Sequence, residues 1–238
     1  MMEGIEFLGK HSYQDFGLSL APGKSIGIPD KEKIMVKVPF SNVEYDFSQL
    51  YGSQPYTSRE LTYPFNVFVS GNLTKKAMNN KKTQVLNWLM NSNGKQRLYD
   101  DSFPNYYFLA EIEGGTSFDE NYKTGILSVT FKAYPFMIAE LAEGNDIWDT
   151  FNFELDVTQT VTFDIMTSQE IMLINAGTPD VFPTIDASAD MQIQLSGKTY
   201  NVTAGITSNA DLPLANGENN LTITGNGTIK FTFYKEMI

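Results

Sequence analysis

The chain has 238 residues, 42% of them apolar and 13% aromatic, with a formal net charge of −11, no cysteine and one histidine. This composition supports a packed core and excludes disulfide frameworks, thiolate nucleophiles, cysteine metal sites and multi-histidine centres. The charge is uneven: up to Pro135, 14 basic residues balance 14 acidic ones, whereas from Phe136 onward Lys198, Lys230 and Lys235 face 14 acids.

So abrupt a shift predicts two domains, 1–135 and 136–238. It also speaks against sequence-specific nucleic-acid binding, which needs basic faces to neutralise phosphates. The opening Met1-Met2-Glu3-Gly4-Ile5-Glu6-Phe7 has no basic patch ahead of an apolar run, so no secretory signal is expected. No stretch approaches the ~18 apolar residues of a membrane-spanning helix, so no membrane partner is expected. The chain is expected to be made in a cytoplasm, and kept there or assembled into something larger.

His11 stands in the polar "GKHSYQD" and reads as a surface histidine, since no nucleophile and orienting acid can be assigned to it. Ile34–Val38 reads as a short strand stopped by Pro39, and Tyr63–Val69 as a second, with Ser70-Gly71-Asn72 as its turn. Arg59 is a rare charge at the start of that second apolar run, either a core ion-pair partner or a subunit contact.

Residues 81–92 carry apolar residues at helical spacing (Val85, Trp88, Leu89, flanked by Leu86 and Met90), which predicts one helix capped by Asn79 or Asn80 and ended by Gly94. Lys81 and Lys82 would then sit in its first turn, against the helix dipole. Strands resume at "YYFLAEIE", with Tyr106, Phe108, Ala110 and Ile112 on one side. In "GILSVTFKAY", Leu127, Val129, Phe131 and Ala133 face one side, the period-2 pattern of a half-buried strand.

Beyond Pro135 no helix is expected. "VTQTVTFDI" (inward Val157, Val161, Phe163, Ile165), "MQIQL" (Met191, Ile193, Leu195), "YNVTAGI", "NNLTITG" and "TIKFTFY" alternate with turn residues between them, the pattern of an antiparallel sandwich. "GNG" at 225–227 reads as a turn, as do the Asn-x-Thr sites at Asn72, Asn201, Asn220 and Asn226. In "INAGTPDVFPTID", Ile171–Asn175 reads as strand and Ala176–Phe182 as turn. There Gly177 would supply a left-handed backbone, and Pro183 would enter the next strand where no ladder donor is needed.

"EGNDIWD" gathers Glu143, Asp146 and Asp149; it fits no EF-hand loop and reads as an acidic turn between strands, with a calcium site or paired glycosidase carboxylates as the alternatives. Trp148 either packs a domain junction or forms a sugar platform. The residues thus predict a strand-rich first domain with one helix and an all-β second domain, with no catalytic residue, cofactor or metal ligand that can be named.

A resemblance joins these stretches. "FLGKHSYQDFGLSL", "VPFSNVEYDFSQLYGSQPYTSRELTYPFNV", "QVLNWLM", "GKQRLYDDSFPNYYFLAEIE", "FKAYPFMI", "INAGTPDVFPTID" and "ANGENNLTITGNG", in that order over nearly the whole length, resemble the distal tail protein family of long-tailed (siphovirus) bacteriophages of Gram-positive bacteria. Asp46, Phe47, Gly52, Tyr56, Arg59, Asn175, Gly177 and Pro183 are among the positions that fit the family pattern.

The resemblance implies a mainly β fold, an N-terminal β-sandwich with one α-helix followed by a galectin-like antiparallel β-sandwich. It further implies a non-enzymatic virion component whose first domains form a homohexameric ring, with back-to-back rings in isolation. The implied partners are the tail-tube protein, the tail-associated fibre or lysin, and receptor-binding or baseplate proteins. The implied place is the distal tail tip, assembled in the host cytoplasm, with a prophage origin left open. The alternative is a carbohydrate-binding β-sandwich protein recognising cell-wall glycans through Trp148, and a glycan hydrolase is the third reading.

Overall fold

The computed structural model describes residues 3–50, 52–69, 74–120, 124–208 and 211–238. The chain divides into two compact units, one of Met1–Asp46, Pro55–Met137 and Ile238, the other of Phe47–Gln54 and Ile138–Met237. The fold is mainly β and its sheets are antiparallel, as in a β-sandwich protein.

The first unit is built from β1 (Ile5–Phe7), β2 (Lys10–His11), β3 (Ser19–Leu20), β4 (Ser25–Ile26), β5 (Met35–Lys37), β6 (Glu44–Asp46), β7 (Arg59–Phe68), α1 (Lys75–Leu89), β8 (Gln96–Asp100), β9 (Tyr106–Glu120) and all but the last two residues of β10 (Thr124–Ala139). Its main sheet runs β2-β1-β8-β9-β10-β7-β3, with β4 also on β7. β7 and β10 pair over ten residues, from Arg59↔Ala133 to Phe68↔Thr124. That register puts Leu61, Tyr63, Phe65 and Val67 on the same face as Leu127, Val129, Phe131 and Ala133, all of them buried, as the alternation requires. The rings of Phe7 and Phe131 meet edge to face at 5.1 Å.

Helix α1 joins this core through Met78, Val85, Trp88 and Leu89, and the Trp88 indole N–H donates to the Phe7 carbonyl at 2.7 Å. The helix begins six residues earlier than the spacing predicts. Thr74 is its N-cap, its hydroxyl accepting from the Ala77 N–H at 3.2 Å. Met78, one further step up the apolar stripe, extends the buried face, and Asn79 and Asn80 ride the exposed face as helix interior. Lys81 and Lys82 therefore sit mid-helix, and Lys75 and Lys76 hold the first turn. The helix also ends early, with Met90 as its C-cap. Gly94 takes the expected left-handed conformation (φ +71°) in the turn before β8, so it caps nothing.

The second unit contains a short 3₁₀ turn (Trp148–Thr150), β11 (Thr162–Asn175), β12 (Thr184–Ala187), β13 (Met191–Leu195), β14 (Lys198–Val202), β15 (Gly205–Thr207) and β16 (Gly217–Thr232). β16 organises it. One side pairs with β11 over fourteen residues, and the other side is shared between β12 and β13. β14 and β15 extend the sheet at its two ends. The inward set of β13, Met191, Ile193 and Leu195, is buried as its alternation predicts.

Gly225 and Gly227 are not a turn but lie within β16, opposite Thr167 and Ile165. A Cβ on Gly225 would come within 2.8 Å of Met191 Cγ, and one on Gly227 within 2.4 Å of Ser188 Oγ. Close approach of the neighbouring segment makes glycine necessary at both. Asn201, Asn220 and Asn226 also lie in strands and not in turns. Asn72 and the expected Ser70-Gly71-Asn72 turn lie outside the described residues.

Candidate assembly surface

Strands β5 and β6 form a two-stranded sheet of their own, in register Met35↔Asp46, Val36↔Tyr45 and Lys37↔Glu44. All six residues are exposed, and so are Ile34, Phe40 and Val43. A hairpin with one face in a core would alternate buried and exposed positions; this one buries neither face. At its tip Phe40 is fully exposed and held at φ +59°, a left-handed conformation that costs a non-glycine residue ~1–2 kcal/mol. The chain thus presents a strained aromatic at the end of an apolar hairpin. An isolated hairpin is marginal in water, and an apolar surface of this kind marks an interaction site. Asp46 pairs with Lys33 at 2.8 Å in an exposed ion pair, which orients the hairpin base and adds little stability.

The other family-pattern residues of the first half differ in kind. Phe47 is exposed, and Gly52 has open space around it. Tyr56 bridges Lys31 in backbone pairing, and its ring meets Phe136 edge to face at 5.1 Å. Arg59 is 5% exposed and, among the described residues, forms no ion pair. Its Nε donates to the Gly27 carbonyl at 2.7 Å, its Nη1 to the Pro135 carbonyl at 3.3 Å, and its guanidinium lies 5.3 Å from the Phe108 ring centroid. Backbone carbonyls and a ring face stand where the ion-pair alternative would have put a carboxylate, and burial lowers the guanidinium pKa from its ordinary value.

A buried polar network lies nearby. The Tyr63 hydroxyl donates to Asp100 Oδ2 at 2.9 Å, while Asp100 Oδ1 accepts from Lys24 Nζ at 2.7 Å and from the Ser102 N–H at 3.0 Å. Burial first, and then the Asp100 charge, push the Tyr63 phenol well above its usual pKa. Tyr63 and Asp100 lie within stretches that carry the family resemblance, whereas Lys24, 76 residues from its partner, lies in none of them.

His11 is not a surface residue; it is 8% exposed. Its Nδ1 accepts from the Tyr13 and Gln14 N–H groups at 3.2 Å, and its Nε2 meets Asp101 Oδ2 at 3.1 Å. The neighbouring Ser12 hydroxyl accepts from the Ile5 N–H. Both ring nitrogens are engaged, Nδ1 with the turn that follows β2 and Nε2 with Asp101 at the end of β8.

In the second unit the two sequence signatures meet at one corner. Asn175 is 1% exposed: Nδ2 donates to the Pro179 and Leu214 carbonyls at 2.8 and 2.9 Å, and Oδ1 accepts from the Gly177 N–H at 2.9 Å. Asn216 Nδ2 donates to the Gly177 carbonyl. Asn219 closes its own loop onto Ala215 and Gly217. Gly177 is required for room and not for a left-handed backbone, since its φ is not positive. A Cβ there would lie 2.6 Å from the Glu236 carbonyl oxygen. Pro183 is buried just ahead of β12, and Ile185 is fully buried inside that strand.

Trp148 is 62% exposed and leans on Phe151 (5.2 Å), which meets Phe153 edge to face (5.1 Å); Phe153 is 84% exposed. Glu143 binds Gln159 Nε2 at 3.0 Å, and among the described residues no three His, Cys, Asp or Glu side chains gather closely enough to hold a metal. Among the described residues no helix is long and apolar enough to cross a membrane.

No family model matches the chain, and no curated protein matches it. Among solved structures, the chain is similar to the crystal structure of SPP1 Dit (gp 19.1), a paradigm of the hub adsorption apparatus in phages infecting Gram-positive bacteria. The two align over 100% of both chains with a TM-score of 0.68 and 14% sequence identity. The likeness therefore extends through both units, and the fold is that of SPP1 Dit.

Proposed function

We propose that this chain is the structural hub at the distal tip of a bacteriophage tail. Residues 1–135 assemble as a homohexameric ring continuous with the tail-tube protein. The ring carries the tail-associated fibre or lysin on its other side, and receptor-binding or baseplate proteins attach to the second domains. In isolation two such rings stack back to back. The observation that carries this reading is the end-to-end fold likeness to SPP1 Dit. The exposed hairpin supports it physically, because an apolar surface of this kind marks an interaction site. Heterologous contacts of this kind close into rings when the rotation allows. Residues 136–238, with three basic and fourteen acidic residues, repel one another and sit outward around the ring. The role is non-enzymatic.

Negative-stain imaging and mass photometry of the purified full chain test this. Sixfold rings are the expected result; a strictly monomeric species at every concentration, including in mixtures with tail-tube protein, overturns it. A second reading, a module binding cell-wall glycans, is favoured by the exposure of Trp148 and Phe153, which supplies an aromatic platform. It predicts retention on purified wall polysaccharide that is lost in Trp148→Ala with folding intact, and absence of retention removes it.

A further inference from the structure

Leu61 to Tyr99, the stretch that contains α1, holds six basic residues and no acid in a chain of net charge −11. Lys75 and Lys76 occupy the first turn of α1, where cations oppose the macrodipole and where there is no acid to offset them. Helix stability does not account for these lysines. Among the described residues, Lys10, Lys75, Lys76, Lys81 and Lys82 form no ion pair.

Two of these cations meet the ring of Phe16, and one of them, Lys10, lines the groove beside it. Phe16 stacks on Trp88 with ring centroids 4.5 Å apart and planes 17° from parallel. Lys10 Nζ and Lys81 Nζ lie 5.7 and 5.9 Å from the Phe16 centroid. Leu8, Gln84, Asn87 and Asn91 complete the lining of an open groove of about 490 Å³. Burial lowers the Lys81 ammonium below its ordinary pKa, so this cation is partly stripped of water with no anion beside it among the described residues. An aromatic floor, amide walls and two uncompensated cations fit an acidic peptide segment that carries aromatic side chains.

The chain itself contains such a segment. In Asp146–Leu155, Trp148, Phe153 and Leu155 are exposed, and Phe151 links the two exposed rings. Asp146, Asp149 and Glu154 are interleaved with them, are exposed and, among the described residues, form no ion pair. The apolar and charged features of this segment are complementary to those of the groove.

We infer that the groove beside α1 receives the Asp146–Leu155 segment of a second copy. The aromatic side chains lie on the Phe16–Trp88 floor, and the carboxylates lie against Lys10 and Lys81. This contact rests on the self-assembly described above and adds to it a specific join between the basic helix of one copy and the acidic segment of another.

Zero-length carbodiimide cross-linking of the unaltered full chain tests the contact, using an equal mixture of unlabelled and ¹⁵N-labelled protein. The expected products are mixed-isotope links from Lys10 or Lys81 to Asp146, Asp149 or Glu154. Their yield should fall at least tenfold in the Lys10→Glu/Lys81→Glu variant and return when Asp146→Lys and Asp149→Lys are added, and circular dichroism would confirm that α1 is retained in each. Failure of the swap to restore the links overturns the pairing. Oligomers that form without these links, or links confined to single copies, overturn the contact and leave the ring standing. A chain that never self-associates overturns both. Binding of free polyphosphate by the α1 lysines with no link between copies would assign the groove to a non-protein anion and overturn the inference.

Discussion

Replacing Asn175 tests whether the buried corner holds the second unit together. Its amide makes three hydrogen bonds of 2.8–2.9 Å from a position that is 1% exposed. Asn175→Ala removes all three and leaves two carbonyls and one N–H without this partner. At about 1 kcal/mol net for each bond, the expected loss is about 3 kcal/mol. With a urea m-value of ~1.5 kcal/mol/M for a unit of this size, the midpoint of the second unit falls by about 2 M. Asn175→Asp is the sharper variant. It keeps the acceptor for Gly177 but aims a carboxylate at two carbonyl oxygens, so at neutral pH it should cost more than alanine. The folded state raises the pKa of that new carboxyl, so its contribution is fully present below its unfolded value of about 3.9 and is lost as pH rises through the folded value. Below pH ~4 the protonated acid donates to one carbonyl, and the aspartate variant should then match or exceed the alanine variant in stability. Hydrogen exchange read by mass spectrometry along a urea series locates the loss in peptides covering β11, β12 and the start of β16. A loss under about 0.5 kcal/mol, the low end for a single net hydrogen bond, or increased exchange confined to the first unit, would refute the reasoning.

Three further outcomes follow from other sites. Phe40→Asn relieves the left-handed strain with a residue that tolerates it, so the melting temperature should hold or rise slightly while ring formation falls, measured by calorimetry and mass photometry on the same preparation. Gly177→Ala drives a methyl into the Glu236 backbone, and a loss of roughly 1–3 kcal/mol in chemical denaturation is expected; unchanged stability would show that the approach of these segments is looser than 2.6 Å implies. Burial raises the pKa of Glu143, against the opposing influence of Gln159 and Lys235, so its protonated form is favoured in the fold. Its contribution is fully present below about 4.5 and declines as pH rises through the folded value, so the stability of the parent relative to Glu143→Gln should fall as pH rises above about 4.5 in urea titrations.

Alternation is what made the sheets legible in sequence. Leu127, Val129, Phe131 and Ala133, and Met191, Ile193 and Leu195, declare their buried faces because a strand side chain has one of two directions to point. Boundaries were less legible where packing outweighs local preference. The start of α1 was displaced because Met78 packs into the core, and Gly225 and Gly227 looked like a turn because close approach and chain reversal both favour glycine. The polar contacts were hidden for a different reason. His11 with Asp101, Lys24 with Asp100, and Arg59 with Gly27 and Pro135 join residues 32 to 90 positions apart, and nothing local in the sequence marks the partner. The hairpin was half legible, since "IMVKV" announced a strand, but its exposure on both faces is a tertiary fact. The meeting of Asn175 with the segment around Leu214 was prefigured only as two separate stretches of a family pattern.

The division of the chain also bears on inheritance and synthesis. Phe47–Gln54 belongs with Ile138–Met237, although it emerges from the ribosome long before the rest of that unit. The second unit is therefore a discontinuous module, begun early in translation and finished last. A recombination crossover near codon 136 would import most of a new second unit yet leave its first segment behind in the old sequence. Exchange between related chains should then favour crossovers that carry residues 47–54 along, and chimaeras joined near 136 should fold poorly until that segment is exchanged too.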